Sequence, residues 1–241
     1  IFYKYFFANP KPLIVTEGKT DVIYLKAALK NLWKEYPNLV SRNSKGQFEY
    51  KVSFLQRSKR LAYFLNFKKD GADTMNNIYK FFSKEGGEKY PNYIEMFKNL
   101  GSAVPLNSVI LLFDNELNNK NKPVYKFASN KISDDRKKQL CTKTWINLLE
   151  NLYLMITPLV GESEECDIEM LFDEATLSHE IGGKKFCKKD TYDTSKFYGK
   201  EIFSQYIMKN YSSIDFGGFK SLLNNIDVVI KNYKETIQRL L

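Results

Sequence analysis

Leu13-Ile14-Val15-Thr16-Glu17-Gly18-Lys19-Thr20-Asp21 is the stretch on which the fold turns. Four residues suited to a buried strand run into a carboxylate, a glycine that permits a tight turn, and a threonine able to cap a helix. The helix that follows carries its apolar face on Val22, Leu25, Leu29, Leu32 and Trp33 and ends near Pro37, which makes one β-α unit. A second run, Val109-Ile110-Leu111-Leu112-Phe113, ends in Asp114-Asn115-Glu116. Both runs put carboxylates just past strand ends, where open parallel sheets bind ligands. Carboxylates that converge there repel one another unless a divalent cation sits between them, and this suggests metal-assisted attack on phosphodiesters.

Working outward, Tyr50 to Leu55 alternates like a second strand, while Ala72 to Lys84 and Tyr93 to Leu100 read as helices. Residues 108–113 form the central strand. Asn115 to Asn130, rich in Asn and Lys, reads as a polar mobile loop beside the second acidic motif, either gating a substrate or simply disordered. Leu152 to Thr157 gives a further strand, and Asp167-Ile168-Glu169-Met170-Leu171-Phe172 starts a short helix after an acidic loop. Phe219 to Leu240 places apolar residues at three- and four-residue steps, a long amphipathic helix that packs on the core or on another subunit. The order is that of an α/β domain with a mostly parallel sheet, flanking helices and a helical C-terminal extension. No internal repeat is visible.

The charge points to a partner. The chain has 241 residues and carries 37 Lys and Arg against 28 Asp and Glu, a net charge of +9, so the excess lies away from the acidic motifs and a nucleic acid is the natural ligand. Basic clusters fall at Lys68-Lys69, Arg136-Lys137-Lys138, Lys184-Lys185 and Lys188-Lys189, with Phe67, Phe186, Tyr192 and Phe197 nearby. Lys19 stands either against a phosphate or in solvent. His179 is the only histidine, so a Ser-His-Asp or Cys-His mechanism would rest on one residue that reads as surface. Cys141, Cys166 and Cys187 form no metal-ligand pair and no disulfide framework. No apolar run reaches the roughly 20 residues of a membrane span and the start lacks the shape of a signal peptide, so the expected compartment is the cytoplasm. The aromatic start and the absence of an initiator Met suggest a piece of a longer polypeptide.

These motifs resemble a family. A Glu-Gly-x-x-Asp after a strand, followed by Asp114-Asn115-Glu116, is similar to the motif pair of Toprim (topoisomerase-primase) domains, with Glu116 in place of the second aspartate. Tyr3 to Phe7, Thr16 to Leu29, Asn151 to Leu159, Gly183 to Phe186 and Tyr198 to Phe203 resemble the carboxyl-terminal effector domain of retron reverse transcriptases fused to a Toprim nuclease. The resemblance implies a Toprim-like Rossmannoid core in residues 1–160, with the rest of the nuclease site and the helical part in residues 161–241. It also implies an anti-phage toxin acting on RNA, including tRNA, or DNA and restrained by the reverse transcriptase, its noncoding RNA and msDNA, as a homo-oligomer in the full-length protein.

The likeness extends to OLD (overcoming lysogenization defect) nucleases. It implies that Glu17 and Asp21 hold one Mg²⁺ or Mn²⁺, that Asp114 and Glu116 bind or bridge to a second, that Glu169 completes the cluster with Asp167 as a weaker candidate, and that Lys200 supplies a cation to the transition state. Lys184, Lys185, Lys188 and Lys189, with Lys19, would grip the nucleic acid. The competing reading is a non-catalytic assembly module around msDNA, for which the charge and the terminal helix would suffice.

Overall fold

Two hydrophobic cores, one on each side of a single sheet, explain why the strand runs are apolar at every position. The computed structural model describes residues 1–56, 58–66, 73–85, 87–101, 103–189 and 191–239; Phe67, Lys68, Lys69, Ala72 and Leu240 lie outside these. In chain order the elements are β1 (Leu13–Thr16), α1 (Lys19–Asn31), the hairpin β2 (Val40–Arg42) and β3 (Phe48–Tyr50), β4 (Ser53–Phe54), α2 (Lys59–Leu65), α3 (Asp73–Phe82) and α4 (Tyr93–Gly101). There follow β5 (Val109–Phe113), α5 (Pro123–Lys131), α6 (Asp134–Lys143), β6 (Trp145–Leu149), β7 (Leu152–Ile156), α7 (Glu174–Leu177), β8 (Lys185–Phe186), β9 (Phe197–Tyr198), α8 (Lys200–Lys209) and α9 (Lys220–Gln238).

The main sheet has the order β4-β1-β5-β7-β6, with β4, β1, β5 and β7 parallel and β6 antiparallel at the edge. Leu13 pairs with Val109 and Val109 with Leu152, so odd positions of β1 and β5 and even positions of β7 share one face. That face carries Leu13, Val15, Leu111, Phe113 and Leu154 against α2, α3, α5 and α6. The opposite face carries Ile14, Ile110, Leu112, Tyr153 and Met155 against α1, α8 and α9. Burial on both sides is what a parallel sheet demands and what uninterrupted Val, Ile and Leu runs supply. The result is a Rossmann-like α/β fold with a C-terminal helix. α9 buries Leu222, Leu223, Ile226, Val229, Ile230 and Tyr233 in the second core, so its apolar stripe is spent within the chain. Among the described residues no helix is long and apolar enough to cross a membrane.

Several expectations change locally. Thr20 does not cap α1: Gly18 is the N-cap residue, and Asp21 accepts its N–H at 2.8 Å. The expected strand over Tyr50–Leu55 is two pieces, because Tyr50 closes the β2–β3 hairpin while Ser53 and Phe54 join β1 in the main sheet. The expected mobile loop over 115–130 contains α5. Pro123 starts that helix, where its missing N–H costs nothing, and Val124, Phe127 and Ala128 anchor it in the core. Its polar composition masked three well-spaced apolar residues.

Candidate functional site

The chain leaves β1 toward β4 on one side and leaves β5 toward β7 on the other, so the carboxyl ends of these adjacent strands form the crevice where open α/β sheets bind ligands. Glu17 and Asp114 are the first residues beyond those ends. They meet directly: Glu17 Oε1 accepts the Asp114 N–H at 3.1 Å. Asp114 continues the parity of Ile110 and Leu112, toward the face covered by α1 and α8.

Three further elements deliver the rest. Asp21 sits in the first turn of α1. Asn115 and Cys166 exchange both backbone hydrogen bonds, each at 2.8 Å, which ties the acidic loop to the end of β5. Asp114 Oδ1 then accepts the Ile168 N–H at 3.1 Å, and Asp167 caps the following 3-10 turn by accepting the Met170 N–H at 3.1 Å. That turn, Ile168–Leu171, replaces the short helix expected there and carries Glu169 inward, where it is 0% exposed. It is fixed from outside by Gly218, since a Cβ there would collide with the Leu171 carbonyl oxygen. Lys200 opens α8 as expected, and its Nζ lies 3.0 Å from Glu169 Oε1. Lys200 thus engages Oε1, while Oε2 is buried with no hydrogen-bond donor among the described residues.

The electrostatics follow from this crowding. Burial pushes the Glu17 carboxyl up to about 7, helped by the charges of Asp21 and Glu116 and opposed by the Asp114 N–H. Burial likewise raises Asp114 well above the usual carboxylate range, reinforced by Glu17, Asp21, Glu169 and Asp167. Asp21 and Glu169 are raised by burial too, with Lys200 pulling both down. Burial works against the Lys200 ammonium, but the charges of Glu169, Asp114 and Asp167 outweigh it and leave its pKa raised. Lys122, Lys188 and Lys200 offset the crowding only in part, since burial still leaves Glu17, Asp21, Asp114 and Glu169 raised, and an added positive charge would stabilise their ionised forms.

No family model matches this chain, and no solved structure matches it. The site therefore rests on its own residues.

The sequence-expected residues divide. Glu17, Asp21, Asp114, Asp167, Glu169 and Lys200 come together. Glu116 lies at the edge of the group and is engaged by Lys122 in a short ion pair. Lys19 pairs with Glu201 at 2.5 Å. Of the basic loop, Lys188 pairs with Asp167 at 2.8 Å, Lys184 donates to the Thr194 carbonyl at 2.6 Å, Lys185 lies 4.0 Å from Glu180, and Lys189 is exposed. His179 is exposed and stacks on Tyr206, and burial pushes the Cys166 thiol up to about 12, which keeps it inert.

Two residues escaped the sequence reading. Lys122 was hidden in the supposed loop. Tyr24, one turn beyond Asp21, is 0% exposed with its hydroxyl lacking a partner among the described residues, and the charges of Glu169, Asp21 and Asp167 raise its pKa further after burial itself. The spacing of three from Asp21 was the available signal.

As placed, no three His, Cys, Asp or Glu side chains among the described residues are spaced to share a metal ion. The donor chemistry nonetheless fits a hard divalent cation: the group is all oxygen, and Glu169 Oε2 is buried with no partner among the described residues. Glu116 fits least, because it would have to release Lys122.

Proposed function

We propose that the protein is a metal-dependent nuclease. The observation that supports this most is the convergence of Glu17, Asp21, Asp114, Asp167 and Glu169 at one sheet crevice, with burial raising Glu17, Asp21, Asp114 and Glu169 and repulsion adding to it at Glu17, Asp114 and Glu169. In this reading Glu17, Asp21, Asp114 and Glu169 hold Mg²⁺ or Mn²⁺, with Glu116 recruited from Lys122. A bound cation would polarise the phosphodiester and lower the pKa of an attacking water.

The chain's own residues do the rest. Lys200 keeps its proton and offers a fixed positive charge beside Glu169, where negative charge develops on the phosphoryl oxygens. Glu17, raised to about 7, exchanges its proton near neutral pH and loses it when a cation arrives. The resemblance to retron-encoded Toprim effectors extends the proposal to a cytoplasmic toxin acting on RNA or DNA, held in check by a reverse transcriptase and its msDNA.

A second reading, a non-catalytic module of such a complex, draws on one observation: no three carboxylates among the described residues are spaced as ligands of one ion. Incubation of single-stranded DNA, duplex DNA and structured RNA with the protein in Mg²⁺, Mn²⁺ or EDTA separates the two. The nuclease reading expects cleavage of at least one substrate only with a cation, and none by Asp114→Asn. Full cleavage in EDTA, or equal cleavage by Asp114→Asn, overturns it.

A further inference from the structure

The lysines best placed to receive a nucleic acid are not those of the 184–189 loop. Lys184 and Lys188 there are tied to the Thr194 carbonyl and to Asp167. A different set lies along α1. Lys19, Lys26 and Lys30 fall on one side of that helix, with Lys34 in the turn that follows, at steps of seven, four and four residues.

The β2–β3 hairpin holds this row in place. Lys26 Nζ lies 5.9 Å from the Tyr50 ring centre and 5.6 Å from that of Phe54, while Lys30 Nζ lies 5.8 Å from Phe48 and 5.1 Å from Tyr211. Arg42 covers Phe48 at 5.5 Å, and Phe48 meets Tyr211 edge-on at 6.0 Å. The Tyr50 hydroxyl donates to the Lys26 carbonyl at 3.2 Å, which locks hairpin to helix. Lys30 Nζ also touches Met208 Sδ at 3.6 Å.

None of Lys26, Lys30, Lys34 and Arg42 has a carboxylate partner among the described residues. Of the neighbouring acids, Glu35 pairs with Lys220 at 2.8 Å, and Glu49 accepts from the neutral Asn43 amide at 3.0 Å and keeps its charge. Lys26 and Lys30 are half-buried and Lys34 and Arg42 exposed, and such ring contacts are each worth about 0.5–2 kcal/mol, so they order the cations without neutralising them. An elongated row of ordered, unneutralised cations suits an elongated polyanion, whose counterions it displaces on binding.

The row also has a direction. Lys19, two residues past Glu17, heads it but is paired with Glu201; the part without carboxylate partners, Lys26 to Lys34, runs away from the carboxylate crevice toward the hairpin.

We propose that the face formed by α1 and the β2–β3 hairpin is the track on which a nucleic-acid strand lies, held by its phosphates on Lys26, Lys30, Lys34 and Arg42. That the track feeds the crevice rests on the nuclease reading; the binding itself does not.

Fluorescence anisotropy with a labelled single-stranded oligonucleotide in EDTA tests it without cleavage. The variants are the triple Lys26→Gln/Lys30→Gln/Arg42→Gln, the double Lys184→Gln/Lys185→Gln, and the single Lys34→Gln, which leaves the ring contacts of Lys26, Lys30 and Arg42 untouched should the triple fail to fold. The triple should weaken binding at least tenfold at low salt and reduce the slope of log affinity against log salt by about 2, at roughly 0.7 per lost phosphate contact. The single should weaken it about threefold, and the double less than either.

Wild-type affinity in the triple, or in Lys34→Gln where the triple does not fold, overturns the track. So does a loss in the double that matches theirs, or displacement of the oligonucleotide by an acidic peptide as readily as by unlabelled strand. A wild-type protein that binds through these residues but never cleaves with Mg²⁺ sinks the nuclease reading and leaves the track standing.

Discussion

The two edges of the main sheet solve the same problem in opposite ways. At the amino-terminal edge the loops before β1, β5 and β7 are joined by Asn9, Asn107 and Asn151, neutral side chains whose amide groups all donate to backbone. Asn151 Nδ2 reaches the carbonyls of Phe6 at 2.9 Å and Asn107 at 2.6 Å, Asn107 reaches Asn9 at 2.8 Å, and Asn9 reaches Lys11 at 3.0 Å. At the carboxyl edge two of these strands, β1 and β5, end in acids whose burial and repulsion oppose ionisation. One edge holds the fold together; the other is held in place at a cost in stability. Buried like charges with no structural return are what a ligand site looks like before its ligand arrives.

The contrast predicts opposite signs for substitutions at the two edges. The largest effect is expected for Asp114→Asn: cation-dependent cleavage falls at least a thousandfold, while the melting temperature of the metal-free protein rises because one repelling charge is gone. A fall in melting temperature would place Asp114 with the structural edge.

Lys200→Ala comes next. Turnover should drop about a hundredfold with little change in KM, as befits a charge used only in the transition state. Stability should also fall by about 2 kcal/mol, because Glu169 is left buried without its ion-pair partner. Lys200→Arg should restore stability better than turnover, since a planar fork cannot replace a compact ammonium. Recovery of both together would reduce Lys200 to a structural role.

A pH profile follows from Glu17. Its pKa is about 7 when folded against an ordinary 4.5, so between these values the folded state holds a proton that the unfolded state has released. The metal-free protein therefore loses stability as pH rises through that window, by up to about 3 kcal/mol at roughly 1.4 kcal/mol per unit, and levels off above it. Glu17→Gln should make the fall across the window shallower, the raised Asp21, Asp114 and Glu169 keeping the remainder. A wild-type profile that rises across it would contradict the assigned environment.

The smallest effect is reserved for the amino-terminal edge. Asn151→Ala should cost about 2 kcal/mol, from two lost hydrogen bonds in a fully buried position, and leave kcat and KM unchanged in the folded protein. Chemical denaturation gives the first quantity and steady-state cleavage the second.

The carboxyl edge was legible in sequence and the amino-terminal edge was not. Glu17 and Asp114 stand out because a charge directly after a buried strand has no structural motive, and strands β1, β5 and β7 are continuous apolar runs that only a doubly covered sheet accommodates. Asn9, Asn107 and Asn151 look like ordinary loop residues, since the hydrogen bonds that define them join positions as much as 145 apart in the chain. Lys122, six residues from Glu116, was hidden by the polar stretch around it, and α5 was lost because only three of its residues are buried. Local pattern reveals what a strand does with its own side chains; it does not reveal who meets them. The lysines show the same limit: Lys184 and Lys188 find partners within the chain, while Lys26 and Lys30, four apart, are ordered on rings, and neither arrangement is visible in the clustering of charges.

Thermal unfolding of the wild-type protein and of Asp114→Asn, each in EDTA and in excess Mn²⁺, tests the carboxyl edge most directly. A cation at about 100 times its dissociation constant adds about 2.7 kcal/mol to the folded state, an increase of roughly 5–10 °C for a domain of this size. The wild type should show that increase in Mn²⁺, while Asp114→Asn should start higher in EDTA and gain little. A wild-type melting temperature that Mn²⁺ leaves unmoved, or a gain of equal size in Asp114→Asn, would contradict the assignment of this edge as a metal-binding nuclease site.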